Sequence, residues 1–120
     1  MKVHYICHQI GGAVEENVAL VLAIVKDINN TYDHVVPFAP YIVDVLALED
    51  SIAEQRARGF ANNEHYFKSG FVDVVELHGP RVSDGMLQEI KWAMDYKIPV
   101  VSKSEGTVTW VHDYVRKFVK

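Results

Sequence analysis

Two valine-rich apolar runs enclose an amphipathic stretch in the second half of the chain, and this arrangement constrains the fold more than any other feature. Residues 71–77 and 98–101 have the composition of buried strands, because valine and leucine favour an extended backbone. Between them, Ser83 is a good helix N-cap, and Asp84 stands in the first turn, where the helix dipole favours negative charge. The sequence therefore predicts a strand–loop–helix–strand unit.

The rest of the chain continues this alternation. Strands are predicted over residues 3–7 and 34–41, and helices over residues 14–29, 51–68 and 106–120. Residues 42–48 fit either a short helix or a lid over a pocket. The order indicates a doubly wound α/β fold, Rossmann-like or flavodoxin-like, with a parallel sheet of about four to five strands and helices on both faces. We expect a single domain over residues 1–120.

Local signals mark the ends of several elements. Ser51 and Glu54 have the spacing of a capping box at the start of the second long helix. Pro37 and Pro40 shorten the second strand, because proline lacks the N–H group that a strand ladder needs. Basic side chains complement the dipole at the end of the last helix: Arg116, Lys117 and Lys120.

Charge and composition argue against several classes of function. The net charge is −4, from 16 acidic and 12 basic residues, which argues against a protein that binds DNA or RNA polymers through phosphates. We expect no signal peptide and no membrane contact, because the first apolar run reaches glycine too soon to span a bilayer. The one cysteine, Cys7, favours a reducing, cytoplasmic setting and is expected in the core rather than as a nucleophile. The six histidines lack ligand spacing, so we expect no metal and no cofactor.

Ligands of doubly wound sheets bind beyond the carboxyl ends of the strands, where the strand order reverses. The loops that should meet there follow Cys7, Tyr41, Leu77 and Val101.

The helix that begins at Ser83 is one candidate binding element at that edge. Its first N–H groups and the Ser83 hydroxyl suit a phosphate or a sugar, although Ser83 could equally serve only as a cap. Gly85 costs helix stability in the first turn, which suggests that something approaches the backbone there. Asp84 would repel a phosphate, and this favours a ribose hydroxyl as its partner.

The turn after the first strand is another candidate. Gly11 and Gly12 let the backbone approach a ligand, but they lack the GxGxxG spacing, and we therefore reject a dinucleotide-binding site. Tyr5 and His8 are expected to contact a base or sugar. His4 is expected to pack in or beside the sheet, because alternate strand residues face opposite sides.

The second long helix carries a polar cluster: Arg56, Arg58, Asn62 and Asn63. Arg58 could bind a phosphate bidentately, with Asn62 one turn later on the same face. The alternative is an exposed helix face with a Glu54–Arg58 pair. Tyr41 and Asp44, after the second strand, are expected to line the pocket, whereas Phe71 and Trp92 are expected in the core rather than as stacking platforms.

Gly85, Met86 and Glu89 resemble the D-x-G-T-x-x-E-like stretch of the nucleoside 2-deoxyribosyltransferase superfamily, with Met86 in place of the usual threonine. The resemblance is greatest to a branch of small phage and bacterial proteins with the pattern S-[ED]-G-M-x-x-E. That branch shares a Y-I-C-x-x-x-G-like start and a central R-x-x-G stretch. The likeness spans residues 3–101.

This resemblance implies that Glu89 attacks the anomeric carbon of a sugar and holds it as an ester. Asp84 and Asp44 are the candidates for handling the proton of the leaving base. The implied ligand is a nucleoside, a nucleotide or an ADP-ribose-like molecule. On its residues alone, Glu89 could equally be a solvated glutamate on a helix surface.

Two other functions remain open on the same scaffold. One is a non-catalytic phage protein that sequesters a nucleotide-derived, cyclic ADP-ribose-like immune signal in the cytoplasm of the host cell. The other is a structural or regulatory subunit. The resemblance also implies a homo-oligomer, with Trp110 and Tyr114 as interface candidates or, alternatively, packed on their own sheet.

Overall fold

The computed structural model describes residues 1–116 and contains nine regular elements within them. The strands are β1 (Lys2–Cys7), β2 (Val35–Phe38), β3 (Val74–Leu77) and β4 (Val100–Ser102). The helices are α1 (Val14–Thr31), α2 (Tyr41–Ala47), α3 (Ala53–Lys68), α4 (Asp84–Asp95) and α5 (Glu105–Arg116). Strands and helices alternate as predicted, except that α2 and α3 follow each other between β2 and β3.

The described strands form one parallel sheet in the order β2-β1-β3-β4. Tyr5 of β1 is level with Phe38 of β2 on one side and with Val75 of β3 on the other. The chain runs outwards from β1 to β2 and then returns across β1 to add β3 and β4. The predicted α/β class with a parallel sheet is therefore confirmed, and the strand order reverses between β1 and β3.

Side-chain alternation along β1 builds a hydrophobic core on each face of the sheet. Tyr5 and Cys7 share one core with side chains of α3 and α4, among them Trp92. Ile6 points to the opposite face and packs with α1 side chains such as Val21. A central strand covered on both faces is apolar on both, which is typical of parallel sheets.

β3 is shorter than the sequence predicts. It begins at Val74 rather than at Phe71. The Asp73 N–H still donates to the Val3 carbonyl at 2.9 Å, but the Val3 N–H donates to the Asp73 carboxylate at 2.7 Å. A side chain thus takes the place of a backbone acceptor at this point of the ladder. Phe71 instead packs edge-on against Phe38, with ring centroids 5.3 Å apart.

β2 also ends earlier than predicted, and the chain passes directly into α2. The strand stops at Phe38, and Pro40 is the N-cap residue of α2 with a φ of −67°, the angle that its ring imposes. Tyr41 therefore begins a helix instead of ending a strand. Of the two alternatives for residues 42–48, the short helix is confirmed.

The two predicted helix caps have different outcomes. Ser83 caps α4 as predicted, and its hydroxyl accepts a hydrogen bond from the Met86 N–H at 3.3 Å. The capping box at Ser51 is wrong, because α3 begins at Ala53 and its N-cap residue is Ile52, which has no side-chain acceptor.

α5 carries the aromatic pair predicted for an interface. Trp110 and Tyr114 stack with ring centroids 4.8 Å apart, and Trp110 packs against the core that α3 and α4 share with the sheet. Of the two alternatives given for Trp110, packing within its own domain is therefore the one that the structure shows. The basic residues expected in the last turns, Lys117 and Lys120, lie outside the described residues.

Candidate functional site

A cleft of about 810 Å³ opens beyond the carboxyl ends of β1 and β3, where the strand order reverses. Its walls are the loop after β1, the helices α2 and α3, and the loop and helix that follow β3. The predicted site residues that line it are His8, Gly11, Gly12, Tyr41, Asp44, Ser83, Asp84, Gly85, Met86 and Glu89. The topological rule therefore locates the cleft from strand order alone.

One of the four segments predicted to meet at this edge does not reach the cleft. The segments after β1, β2 and β3 line it, but the segment after Val101 does not. β4 is the edge strand, one strand away from the reversal. Its following segment instead supports the loop after β3, because the Ser104 hydroxyl donates to the Gly79 carbonyl at 2.5 Å.

Glu89 lies on the inner face of α4, where the cleft meets the core. Its side chain is buried, with 8% of the residue surface exposed, and the surface alternative for this glutamate is therefore wrong. The Asn63 side-chain amide donates to Oε2 at 3.4 Å, and the Cys7 thiol donates to Oε1 at 3.7 Å. Both carboxylate oxygens thus face weak, uncharged donors.

Burial raises the pKa of Glu89 to about 7, and polar contacts from Tyr5, Asn63 and Cys7 offset only part of this rise. Burial disfavours the charged carboxylate because it removes hydrating water. Near neutral pH the side chain therefore exchanges between a charged nucleophile or base and a neutral acid. That property suits proton transfer and covalent catalysis.

Tyr5 is fully buried behind Glu89 and does not line the cleft. Its hydroxyl donates to Oδ1 of Asn63 at 3.0 Å, so the Asn63 amide group is turned with its nitrogen towards Glu89. The direct ligand contact expected of Tyr5 does not fit this position. Burial also raises the pKa of the Cys7 thiol well above its usual value, which agrees with a core residue rather than a nucleophile.

Arg58 and Asn62 lie outside the cleft, contrary to expectation. The exposed Arg58 guanidinium donates from Nε to Oδ1 of Asn62 at 3.1 Å. Residues on α3 that line the cleft are Gln55, Arg56, Gly59, Phe60 and Asn63. The sequence therefore identified the polar cluster, but the rotation of α3 about its axis brings Asn63, and not Asn62, into the wall of the cleft.

Acidic and basic side chains both line the cleft. Asp44 is half-buried on α2, whereas Asp84 is exposed at the start of α4. Arg81 donates from Nε to the Gln9 side chain at 3.1 Å, and Arg56 donates to the Asp50 carbonyl at 3.2 Å. Both guanidinium groups retain further N–H donors, so either can also contact a ligand.

His8 forms the wall at the end of β1. It is buried, and its Nδ1 donates to the Gln9 carbonyl at 2.6 Å. The neighbouring Gly79 has a φ of 92°, and a Cβ at that position would lie 3.3 Å from His8 Nε2. Glycine therefore allows the loop after β3 to turn beside the imidazole ring.

A second buried carboxylate, Glu76, lies on the sheet face that α1 covers. Its oxygens meet His4 Nδ1 at 2.5 Å and His78 Nε2 at 2.9 Å. His4 thus packs beside the sheet, as predicted. Within residues 1–116, no group of three histidine, cysteine or acidic side chains could hold a metal ion, and no helix there is long and apolar enough to cross a membrane.

Comparison with known proteins gives one family match. The model of a family described as "Domain of unknown function (DUF7768)" matches residues 2–103, which include all four strands of the sheet and α1 to α4. No curated protein and no solved structure matches the chain. The match covers the whole cleft, and its description assigns no activity to it.

Proposed function

We propose that this chain, which belongs to the DUF7768 family, binds a nucleoside-derived small molecule in the cleft and cleaves or transfers its N-glycosidic bond. The ligand is a nucleoside, a nucleotide or an ADP-ribose-like molecule, and Glu89 is the nucleophile. The resemblance of residues 83–89 to nucleoside 2-deoxyribosyltransferases suggests this chemistry. The geometry of the cleft supports it independently.

The observation that carries the proposal is the buried Glu89 carboxylate in the wall of the cleft. Among the described residues no lysine or arginine forms an ion pair with it. A buried carboxyl group without a cationic partner destabilises a fold, so its presence favours a functional role over a structural one. A glycosyl cation that develops in the transition state would supply the missing positive charge.

In the proposed reaction, a Glu89 oxygen forms an ester bond to the anomeric carbon while the carbon–nitrogen bond to the base breaks. The bonding electron pair leaves with the base, which takes a proton from an acid in the cleft. Water or a second base then attacks the same carbon, returns a proton to the acid that gave up the first one, and releases the carboxylate. Asp44 is the better candidate for the acid, because it is half-buried and its carboxylate makes no hydrogen bond within the described chain. The exposed Asp84 suits a ribose hydroxyl.

The first test is turnover by Glu89→Gln, which keeps the shape of the side chain but removes the nucleophile. Purified protein is incubated with deoxynucleosides, their monophosphates and ADP-ribose, and released base is measured by chromatography. We expect release by the wild type and a loss of at least about a thousandfold in the variant, with ligand affinity within about tenfold. Asn62→Ala, which changes an α3 residue outside the cleft, should retain wild-type turnover. Unchanged turnover in Glu89→Gln would refute this role.

A second candidate function, sequestration of a nucleotide-derived signal without turnover, has its own supporting observation. Both Glu89 oxygens already meet donors of the chain, from Asn63 and Cys7, and little of the side chain is exposed. A carboxylate held in this way can bind a hydroxyl without attacking carbon. Recovery of every bound ligand intact after incubation with the wild type would favour this function.

A further inference from the structure

Phe60 exposes an aromatic ring inside the cleft that the proposed chemistry does not use. The residue is 52% exposed, whereas Trp92, which lines the same cleft, is 5% exposed. Burial of a ring of this size is strongly favourable in water. An exposed ring inside a cleft is therefore a candidate contact for an apolar, planar part of a ligand.

The Phe60 ring packs against one buried aromatic side chain. It meets Trp92 in a T-shaped contact, with ring centroids 4.8 Å apart and planes at 66°. Trp92 is fixed in turn against Phe67, with centroids 5.4 Å apart. A ring held in this way loses little conformational entropy when a ligand packs on it. Phe60 thus offers a preorganised flat surface.

The position of this ring relative to Glu89 follows from helix geometry. Phe60 precedes Asn63 by three residues on α3, and Trp92 follows Glu89 by three residues on α4, so each pair shares a helix face. Asn63 and Glu89 contact each other at 3.4 Å. The aromatic pair therefore lies one helical turn, about 5 Å along the axis, from the carboxylate.

We propose that Phe60 is the platform on which the planar base of the ligand stacks, with the sugar directed towards Asn63 and Glu89. This inference rests on the proposed function and makes Phe60 a residue that determines specificity. A nucleoside joins a flat aromatic base directly to the sugar carbon at which the bond would break. A platform beside a nucleophile holds both parts at once, and it makes the base, not the sugar, the main source of affinity.

The test is calorimetric titration of deoxyadenosine, thymidine, free adenine and deoxyribose into wild type, Phe60→Leu and Phe60→Tyr. Leucine keeps the apolar volume but removes the flat ring, whereas tyrosine keeps the ring. Phe71→Leu is the matched control, because Phe71 is also an exposed phenylalanine, at 43%, and lies outside the cleft. Sedimentation velocity of each protein at the titration concentration accompanies the binding data.

We expect Phe60→Leu to raise the Kd for the nucleosides and for adenine by about tenfold, while Phe60→Tyr and Phe71→Leu stay near the wild type. Deoxyribose alone should bind far more weakly than the nucleosides. Equal nucleoside affinity in wild type and Phe60→Leu would overturn the platform but leave the proposed function standing. A change of oligomeric state in Phe60→Leu would overturn it too and assign the ring to a contact between copies of the chain. Failure of both nucleosides and of adenine to bind the wild type would overturn the platform, whereas the proposed function is refuted only if the deoxynucleoside monophosphates and ADP-ribose of the turnover assay also fail to bind.

Discussion

The Glu89 carboxylate is surrounded by an amide, a thiol and, behind them, a phenol, none of which carries a positive charge. Neutral donors stabilise a buried anion less than a guanidinium or ammonium would, so burial remains the larger effect on its pKa. Tyr5 and Cys7 stay protonated near neutral pH, because burial raises both of their pKa values well above the usual ones. The network therefore leaves Glu89 as the group that titrates.

At the residue scale, Asn63→Ala removes the amide donor of Glu89 and leaves the neighbouring helix surface intact. We expect the pKa of Glu89 to rise above about 7, because the charged form loses a hydrogen bond that favours it. The measurement is a carboxyl carbon titration by NMR, in which the signal absent from Glu89→Gln identifies the residue.

Asn62→Ala is the matched control for this titration, because Asn62 is adjacent in sequence but bonds to Arg58 outside the cleft. It should leave the titration of Glu89 unchanged. An unchanged pKa in Asn63→Ala would mean that the amide does not hold the carboxylate in solution.

The sequence identified Glu89 only through its motif, and it could not predict the residues that surround it. Asn63 is 26 residues away along the chain, and the Tyr5 hydroxyl that orients Asn63 is a further 58 residues from it. Such contacts depend on how α3 is rotated above the sheet, which local patterns do not encode. α3 has polar residues around much of its surface, so its sequence gave no clear apolar stripe from which to choose Asn63 over Asn62.

At the element scale, the loop after β3 is held between the cleft and the start of α5. A Cβ at Gly106 would lie 1.9 Å from the Pro80 carbonyl oxygen, which is far inside van der Waals contact. Gly106→Ala must therefore displace either this loop or α5. We expect it to destabilise the protein by about 1–3 kcal/mol, measured by urea unfolding, and to weaken ligand binding in the cleft.

Gly85→Ala is the control for this prediction, and we expect it to stabilise the protein instead. Apart from its chain neighbours and the backbone of its own helix, no atom lies within 4 Å of a Cβ placed at Gly85, which is in the first turn of α4. Alanine there should raise the free energy of unfolding by up to about 1 kcal/mol. If Gly106→Ala proves as stable as this variant, the close packing of α5 on the loop is absent in solution.

The ends of elements show which local signals are decisive. Ser83 caps α4 because its hydroxyl reaches the Met86 N–H, and this signal was readable in the sequence. Ser51 does not cap α3, because it lies in a turn that the Ile52 N–H closes by donating to the Glu49 carbonyl at 3.0 Å, and the helix begins only at Ala53. A capping residue predicts a helix start only where the first free N–H groups of the helix lie two or three residues after it.

At the scale of the whole molecule, the sheet separates two buried carboxylates with opposite pKa shifts. Burial would raise the pKa of Glu76, but hydrogen bonds from His78 and His4 outweigh it and lower the pKa below its usual value. Glu89 lies on the other face without such partners, and its pKa is raised. The α/β class and the location of the cleft followed from the alternation of elements and from strand order. The opposite pKa shifts on the two faces could not be predicted from the sequence, because they depend on contacts that only the folded structure shows.

The opposite shifts predict how stability depends on pH. Glu89 binds its proton more tightly in the folded state, with a pKa of about 7 against 4.5 for an unperturbed glutamate. The stabilisation that Glu89 provides when protonated is therefore complete below pH 4.5 and is lost as the pH rises through about 7. The free energy of unfolding falls by up to about 3 kcal/mol over this range. The effect of Glu76 on stability has the opposite pH dependence. Its stabilising contribution is lost only as the pH falls below the usual glutamate range. The two effects therefore occupy different pH windows.

Glu89→Gln isolates this contribution, because glutamine does not titrate. We expect urea unfolding to show the variant more stable than the wild type at pH 8, by about 1–3 kcal/mol, with the advantage shrinking or reversing at pH 5. Glu16→Gln, on the exposed side of α1, should change stability little at either pH. A Glu89→Gln difference that is the same at pH 5 and pH 8 would show that the carboxylate does not titrate in this window. The carboxyl group would then be either charged or neutral throughout this range, and the raised pKa would not account for its burial beside the cleft.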